Sequence, residues 1–131
     1  MDISKVSVSY HDGFKGTLHG SRMDAEVGED GLAPYDMLLG GLSGCFYVTF
    51  LEIAEKKRLS FDRAEMELEG VHRDGIPRTL SDIHMTLTLF GAAEEDRKAY
   101  QQSLNLAEKY CSIHATIAKV AKITCDLVIK S

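Results

Sequence analysis

The side chains in this chain with the widest chemical reach are its three cysteines, Cys45, Cys111 and Cys125. A thiolate is a nucleophile, a metal ligand and a redox centre, so the setting of each thiol decides what it can do. Cys45 closes the run Gly40-Gly41-Leu42-Ser43-Gly44-Cys45 inside a helical stretch. Each glycine in a helix interior costs about 1 kcal/mol relative to alanine. A sequence that keeps three of them leaves room for something to approach the backbone, either a packed helix or a substrate channel over the thiol. Cys111 follows an amphipathic segment and precedes Ser112, a candidate cap for a short further helix. It is either close enough to that helix start for the dipole to favour its thiolate, or a core residue in register with Leu104 and Ala107. Cys125 lies on the apolar face of an alternating run and reads as a small buried hydrophobe. Spacing alone cannot pair Cys45 with Cys111, because they stand on different elements.

Other constellations are weaker. Cys111-Ser112-Ile113-His114 has C-x-x-H spacing, but no second ligand pair accompanies it and the five histidines are scattered, so no metal site is expected. No P-loop, dinucleotide fingerprint or G-x-S-x-G elbow is present. A net charge of −5 argues against a nucleic-acid surface, which needs a Lys/Arg excess. An odd cysteine count rules out a full intramolecular disulfide framework. The N-terminal stretch is polar, with no apolar secretory segment. Together these lead to a reducing, cytoplasmic location, where a paired cysteine is more often catalytic or metal-binding than structural. Met37 to Leu51 carries no charge, but it is shorter than the roughly 18–20 apolar residues of a membrane span and holds three glycines. It reads as a buried core helix, and no membrane insertion is expected.

The elements that must position these thiols follow from periodicity. Ile3, Val6, Val8 and Tyr10 suggest a strand, turned by His11-Asp12-Gly13, with a hairpin partner between Phe14 and Met23. Gly28 to Gly31 reads as a loop, and Pro34 suits the first turn of a helix running to about Lys57. Ala64, Met66 and Leu68 alternate with Glu65, Glu67 and Glu69, a half-buried strand with a solvated acidic face. Ile83, Met85, Leu87 and Leu89 form a second such strand, stopped by Gly91. Ala93 to Tyr110 is an amphipathic helix with Tyr100, Leu104, Ala107 and Cys111 on one face. Ile123, Cys125, Leu127 and Ile129 make a closing strand. The order β-β-α-β-β-α-α-β implies an α+β fold with mainly antiparallel sheet, in one domain over residues 1–131. A helix apolar on every face is hard to cover with one small chain, so a homodimer is expected, with the partner covering part of it.

Three segments in this order resemble the OsmC/Ohr family. The first is Leu32-Ala-Pro-Tyr-Asp-Met-Leu-Leu-Gly-Gly-Leu-Ser-Gly-Cys45, in which a proline and an acidic residue open a long helix that leads to a first cysteine. The second, Arg73 to Gly91, is similar to the family's middle strands. The third, Ala107 to Ile123, is similar to its second-cysteine segment. The resemblance implies an OsmC-like fold: curved, mainly antiparallel sheets with two long helices, one central and buried, in an intertwined homodimer with sites at the subunit interface. It implies that Cys45 is a peroxidatic thiol and Cys111 the resolving one. An N-terminal arginine, here Arg22, would hold the thiolate, and an acidic residue at the helix start, here Asp36, would hold that arginine. In the Ohr branch the acidic position falls at Tyr35, one residue earlier, and many relatives carry proline where this chain has Ser112. The chain is therefore closer to the broad OsmC-like branch.

What this implies is a thiol-dependent peroxidase for small hydrophobic hydroperoxides, with Tyr35, Leu42 and Phe46 against the substrate. No cofactor would be bound, and an external dithiol, lipoyl-type by the resemblance, would reset the pair. The competing expectation is a non-catalytic OsmC-like dimer that binds an apolar ligand or partner. A third is a thiol hydrolase or acyl carrier, with His72, His84 or His114 as base.

Overall fold

The computed structural model describes residues 2–131. The chain forms two compact units, Met1–Gly40 and Gly41–Ser131. The element order is β1 (Ser7–His11), β2 (Lys15–His19), β3 (Asp24–Gly28), α1 (Pro34–Lys56), β4 (Arg63–His72), β5 (Leu80–Phe90), α2 (Arg97–Tyr110), α3 (Ser112–Ile117) and β6 (Lys122–Lys130), with one 3-10 turn at Glu94–Asp96. This is the expected α+β order with one strand added.

The first unit is an antiparallel meander, β1-β2-β3. Asp12 (φ 45°) and Gly13 (φ 81°) turn β1 into β2 in left-handed conformations that these two residue types tolerate. Gly16 faces the Tyr10 ring, and a Cβ there would sit 2.8 Å from it. The added strand, β3, contributes only Ala25 and Val27 to an apolar alternation otherwise bracketed by charge. α1 then begins with Pro34 in its first position, where a missing N–H costs nothing.

The second unit is built on a sheet ordered β4-β5-β6. β4 and β5 are antiparallel, whereas β5 and β6 are parallel. Register puts Met66, Leu87 and Leu127 in one cross-strand row and Leu68, Met85 and Cys125 in the next, all on one face. On the other face Glu67, Thr86 and Asp126 share a row, as do Glu69, His84 and Thr124. The central strand supplies the core, with Ile83, Met85, Leu87 and Leu89 fully buried. Gly91 ends it at φ 76°, against the Asp62 carboxylate, where a Cβ would collide.

α1 is long and apolar enough to cross a membrane by length and composition. One stripe of it, Leu42, Phe46, Phe50 and Ala54 at four-residue spacing, is fully buried. Phe50 meets Phe61 at 6.2 Å between ring centroids, and Ser43 Oγ donates to Met66 Sδ on β4. The opposite stripe is open: Val48 is half exposed, and a Cβ on Gly40, Gly41 or Gly44 would meet nothing within 4 Å. α2 buries Tyr100, Leu104 and Ala107 as its periodicity requires, together with Ser103, whose hydroxyl donates to the Ala99 carbonyl. The Tyr100 hydroxyl donates to the Ser60 carbonyl.

Phe50 fills the middle of the buried stripe, so Phe50→Ala leaves a cavity the surrounding side chains cannot fully close. It is expected to cost about 3–5 kcal/mol of unfolding free energy, measured by denaturant titration.

Candidate functional site

Two breaks in regular structure create the site. α2 stops at Tyr110, and α3 begins two residues later. The residue between them, Cys111, is extended, with φ −71° and ψ 119°. Its N–H donates to the Ala107 carbonyl at 2.9 Å, and its Sγ accepts the His114 N–H at 3.4 Å. Cys111 thus ends one helix and caps the next. The sequence suggests Ser112 for the cap, on residue preference. The extended backbone falls one position earlier, so a thiol takes that role and Ser112 becomes the first residue of α3. Cys111 is also buried, on the same face as Leu104 and Ala107. Cys111 is thus a core residue as well as a helix start, and the thiolate expected from the helix start is not favoured, because burial outweighs the N–H groups there.

Cys45, on α1, faces this junction. Its Sγ lies 3.8 Å from Ser112 Oγ. The backbone N–H groups of Ile113 and Ser112 and the Cys111 thiol also act on it as donors that lower its pKa. All three cysteines are free thiols. Burial is the largest single influence on Cys45 and pushes its pKa up, but the hydrogen bonds from Ile113, Cys111 and Ser112 outweigh it, so Cys45 lies below the ordinary thiol value. Burial pushes Cys111 up. The His114 N–H pulls against this, while the shared hydrogen bond and the charge of Cys45 add to it, so Cys111 ends above the ordinary value. The pair is polarised: Cys45 is the thiol that gives up its proton first and Cys111 the one that keeps it. Cys125, in the core-facing row with Met85, is pushed up to about 12 by burial, then by the charges of Glu108 and Asp126.

The remaining candidates are placed as follows. Arg22 lies exposed in the turn between β2 and β3. Asp36 Oδ2 accepts the Ala33 N–H at 2.9 Å, the backward half of a capping box, so its carboxylate secures the start of α1. Among the described residues no ion pair joins Arg22 to Asp36. Tyr35 is half exposed and borders a shallow cleft with Pro34 and Leu38. Leu42 and Phe46, expected against substrate, are instead fully buried. They sit on the inward stripe of α1 and form a floor beneath the Cys45 turn, closed to a ligand. A separate cleft of about 290 Å³, lined by Ser43, Gly44, Tyr47, Ala64 and Met66, lies on another side of α1, since residues two apart on a helix do not share a face with Cys45. Sequence reasoning missed a site role for Ser112, adjacent to the second thiol.

The histidines do not supply an evident base. His72 Nδ1 donates to the Arg78 carbonyl at 2.9 Å. His84 lies on the acidic face of the sheet, 2.7 Å from Thr124 Oγ1 and 3.1 Å from Asp126 Oδ2, away from the core-facing row that holds Cys125. His114 stacks on Phe46 at 6.3 Å, and its Nε2 is buried without a hydrogen-bond partner among the described residues. Burial holds its pKa down, so it stays neutral. Among the described residues no three His, Cys, Asp or Glu side chains are grouped to hold a metal.

Two outcomes follow. Alkylation by iodoacetamide at neutral pH, resolved by peptide mass, should modify Cys45 first, Cys111 more slowly and Cys125 only after unfolding. His114 is neutral in the fold and takes up a proton more readily when unfolded. Its contribution is therefore lost as pH falls from the unfolded value of about 6.5 toward the lower folded one. The melting temperature should drop more steeply across that window than in His114→Phe, which keeps the stack.

Residues 27–126 match the family model described as OsmC-like protein. Protein YhfA of Escherichia coli (strain K12) is 29% identical over 107 residues, covering 81% of this chain and 79% of that protein. Among solved structures, a hypothetical protein from Aquifex aeolicus VF5 superposes with a TM-score of 0.85 at 25% identity, over 100% of both chains. The organic hydroperoxide resistance protein OhrB of Bacillus subtilis superposes with a TM-score of 0.68 at 15% identity, covering 94% of this chain and 97% of that one. The family match takes in all of α1, both cysteines of the polarised pair and the first half of β6: this chain belongs to the OsmC-like protein family.

Proposed function

We propose that the protein is a thiol-dependent reductase of small hydrophobic hydroperoxides, working through Cys45 and Cys111. The observation that carries this reading is the polarised thiol pair: two cysteines from separate elements, Cys45 Sγ set 3.8 Å from the hydroxyl of the residue after Cys111, each shifting the other's titration, one below and one above the ordinary thiol pKa. A lone structural cysteine needs neither feature. The name of OhrB, which has the same fold, attaches organic hydroperoxide resistance to that protein.

The chemistry balances with these two residues. The Cys45 thiolate attacks the distal oxygen of R–O–O–H, an S–O bond forms and the O–O bond breaks. Cys45 becomes a sulfenic acid and an alkoxide leaves. The alkoxide takes the proton that Cys111 holds and departs as an alcohol. The resulting Cys111 thiolate attacks the Cys45 sulfur, forms the disulfide and expels hydroxide, which solvent protonates to water. An external dithiol of lipoyl type then reduces the disulfide by exchange, with no bound cofactor, in a reducing cytoplasmic compartment. The cleft lined by Ser43, Gly44, Tyr47, Ala64 and Met66, mixed polar and apolar, is a candidate seat for an apolar ligand on another side of α1. In this reading the protein works as a homodimer with its sites at the subunit interface. The open stripe of α1, with Val48 and three glycines facing space, supports that arrangement.

A second reading, a dimer that holds an apolar ligand without turnover, draws on the same cleft. One equivalent of cumene hydroperoxide separates the two. The peroxidase reading expects a rapid 2 Da loss (two hydrogens as the disulfide forms) mapped to a Cys45–Cys111 peptide, absent in Cys45→Ser. Unchanged mass favours the binding protein.

A further inference from the structure

Ser112 is the first residue of α3, and helix starts ordinarily use a serine hydroxyl to cap their own backbone. Here Cys111 Sγ does the capping, by accepting the His114 N–H at 3.4 Å. That leaves the Ser112 hydroxyl to another partner, and the partner is Cys45 Sγ, 3.8 Å away on a different helix. The hydroxyl makes no other hydrogen bond among the described residues. The Ser112 carbonyl is engaged separately, accepting from Thr116 Oγ1 at 2.9 Å.

A hydroxyl can donate or accept, whereas a thiolate only accepts. With Cys45 ionised, the proton in this contact therefore points from Ser112 Oγ to Sγ. A hydrogen bond to an ionised partner is roughly twice as strong as one between neutral groups. The contact therefore favours the charged form of Cys45 over the neutral one. It also ties the α1 sulfur to the residue next to Cys111.

We propose that Ser112 is a catalytic residue, whose hydroxyl donates to Cys45 Sγ, sustains it as a thiolate and aims it at the α2–α3 junction. The proposal rests on the reading of Cys45 as nucleophile and adds a residue to it. The role sought in an arginine by the family resemblance is filled, at least in part, by a neutral donor adjacent in sequence to the second thiol. Once Cys45 is oxidised its sulfur carries no charge, the preference for the donor lapses, and Sγ is released toward Cys111.

The test is the pH dependence of Cys45 alkylation in the reduced full chain, followed by peptide mass so that Cys111 and Cys125 do not contribute. Ser112→Ala is expected to raise the Cys45 midpoint by about half a unit to one unit, a three- to tenfold smaller thiolate fraction at neutral pH. Ser112→Thr, which keeps the hydroxyl, should return the midpoint to that of the parent. If Ser112→Ala does not fold, the isosteric pair S112T and S112V repeats the comparison. A Cys45 midpoint unmoved in the hydroxyl-free variant, or moved equally in the variant that keeps the hydroxyl, overturns the proposal. Hydroperoxide turnover is scored separately. A shifted midpoint with no turnover in the parent keeps the role of Ser112 and ends the peroxidase reading. An unshifted midpoint with turnover intact ends only the role of Ser112.

Discussion

Two parallel strands cannot be joined by a tight turn, and the pairing of β5 with β6 therefore dictates much of what lies above the sheet. The chain leaving Phe90 has to travel back along the strand before Lys122 can start beside Asp82. It does so as α2, a break, and α3. The break is the chemically productive part of the return. It puts an extended cysteine between two helices, frees two N–H groups at the start of the second, and sets them beside the sulfur of α1. Had β6 been antiparallel to β5, a hairpin would have sufficed, and the junction that polarises Cys45 would have had no reason to exist.

The same crossover explains why the two thiols differ although neither carries a neighbouring cation among the hydrogen bonds seen at the pair. Both suffer desolvation. Cys45 receives donors from three consecutive residues, while Cys111 gains the His114 and Ile113 N–H groups but loses ground by having to give its own proton away. Two similar groups in contact cannot both ionise, so a modest imbalance in donors is enough to assign the charge. Part of the asymmetry comes from backbone amides, which are fixed by the helix and do not reorganise when the sulfur changes its charge, and part from the Cys111 and Ser112 side chains.

Much of this was legible in the sequence. The alternation around Met66 and Leu87, the buried spacing of Tyr100, Leu104 and Ala107, and the proline start of α1 are local periodicities with one physical solution each. β3 escaped notice because Ala25 and Val27 alone are too few to register as an alternation, and the strand exists because β2 offers it a free edge. The direction of β6 is invisible in its own residues, since Ile123, Cys125 and Leu127 alternate identically in either sense. The burial of Leu42 and Phe46 could not be chosen over exposure, because α1 is apolar on every side and periodicity has nothing to contrast. At the site, Cys45 and Cys111 were candidates from their contexts, but their pairing rests on a tertiary contact that spacing does not encode. Ser112 was read as a cap because that is what serine usually does. Only the backbone angles of Cys111 reveal that the cap was already taken.

The depth at which Cys125 is held has a consequence for the fidelity of oxidation. Three thiols admit three disulfides, and a chain that sampled them freely would trap itself in the wrong one two times in three. Exchange proceeds through thiolates, and a sulfur of high pKa is also a poor leaving group. With Cys125 pushed up to about 12, it is a slow attacker and a slow leaver at neutral pH. Burial, reinforced by the charges of Asp126 on β6 and Glu108 on α2, thus weights the choice among three cysteines away from any pairing that involves Cys125.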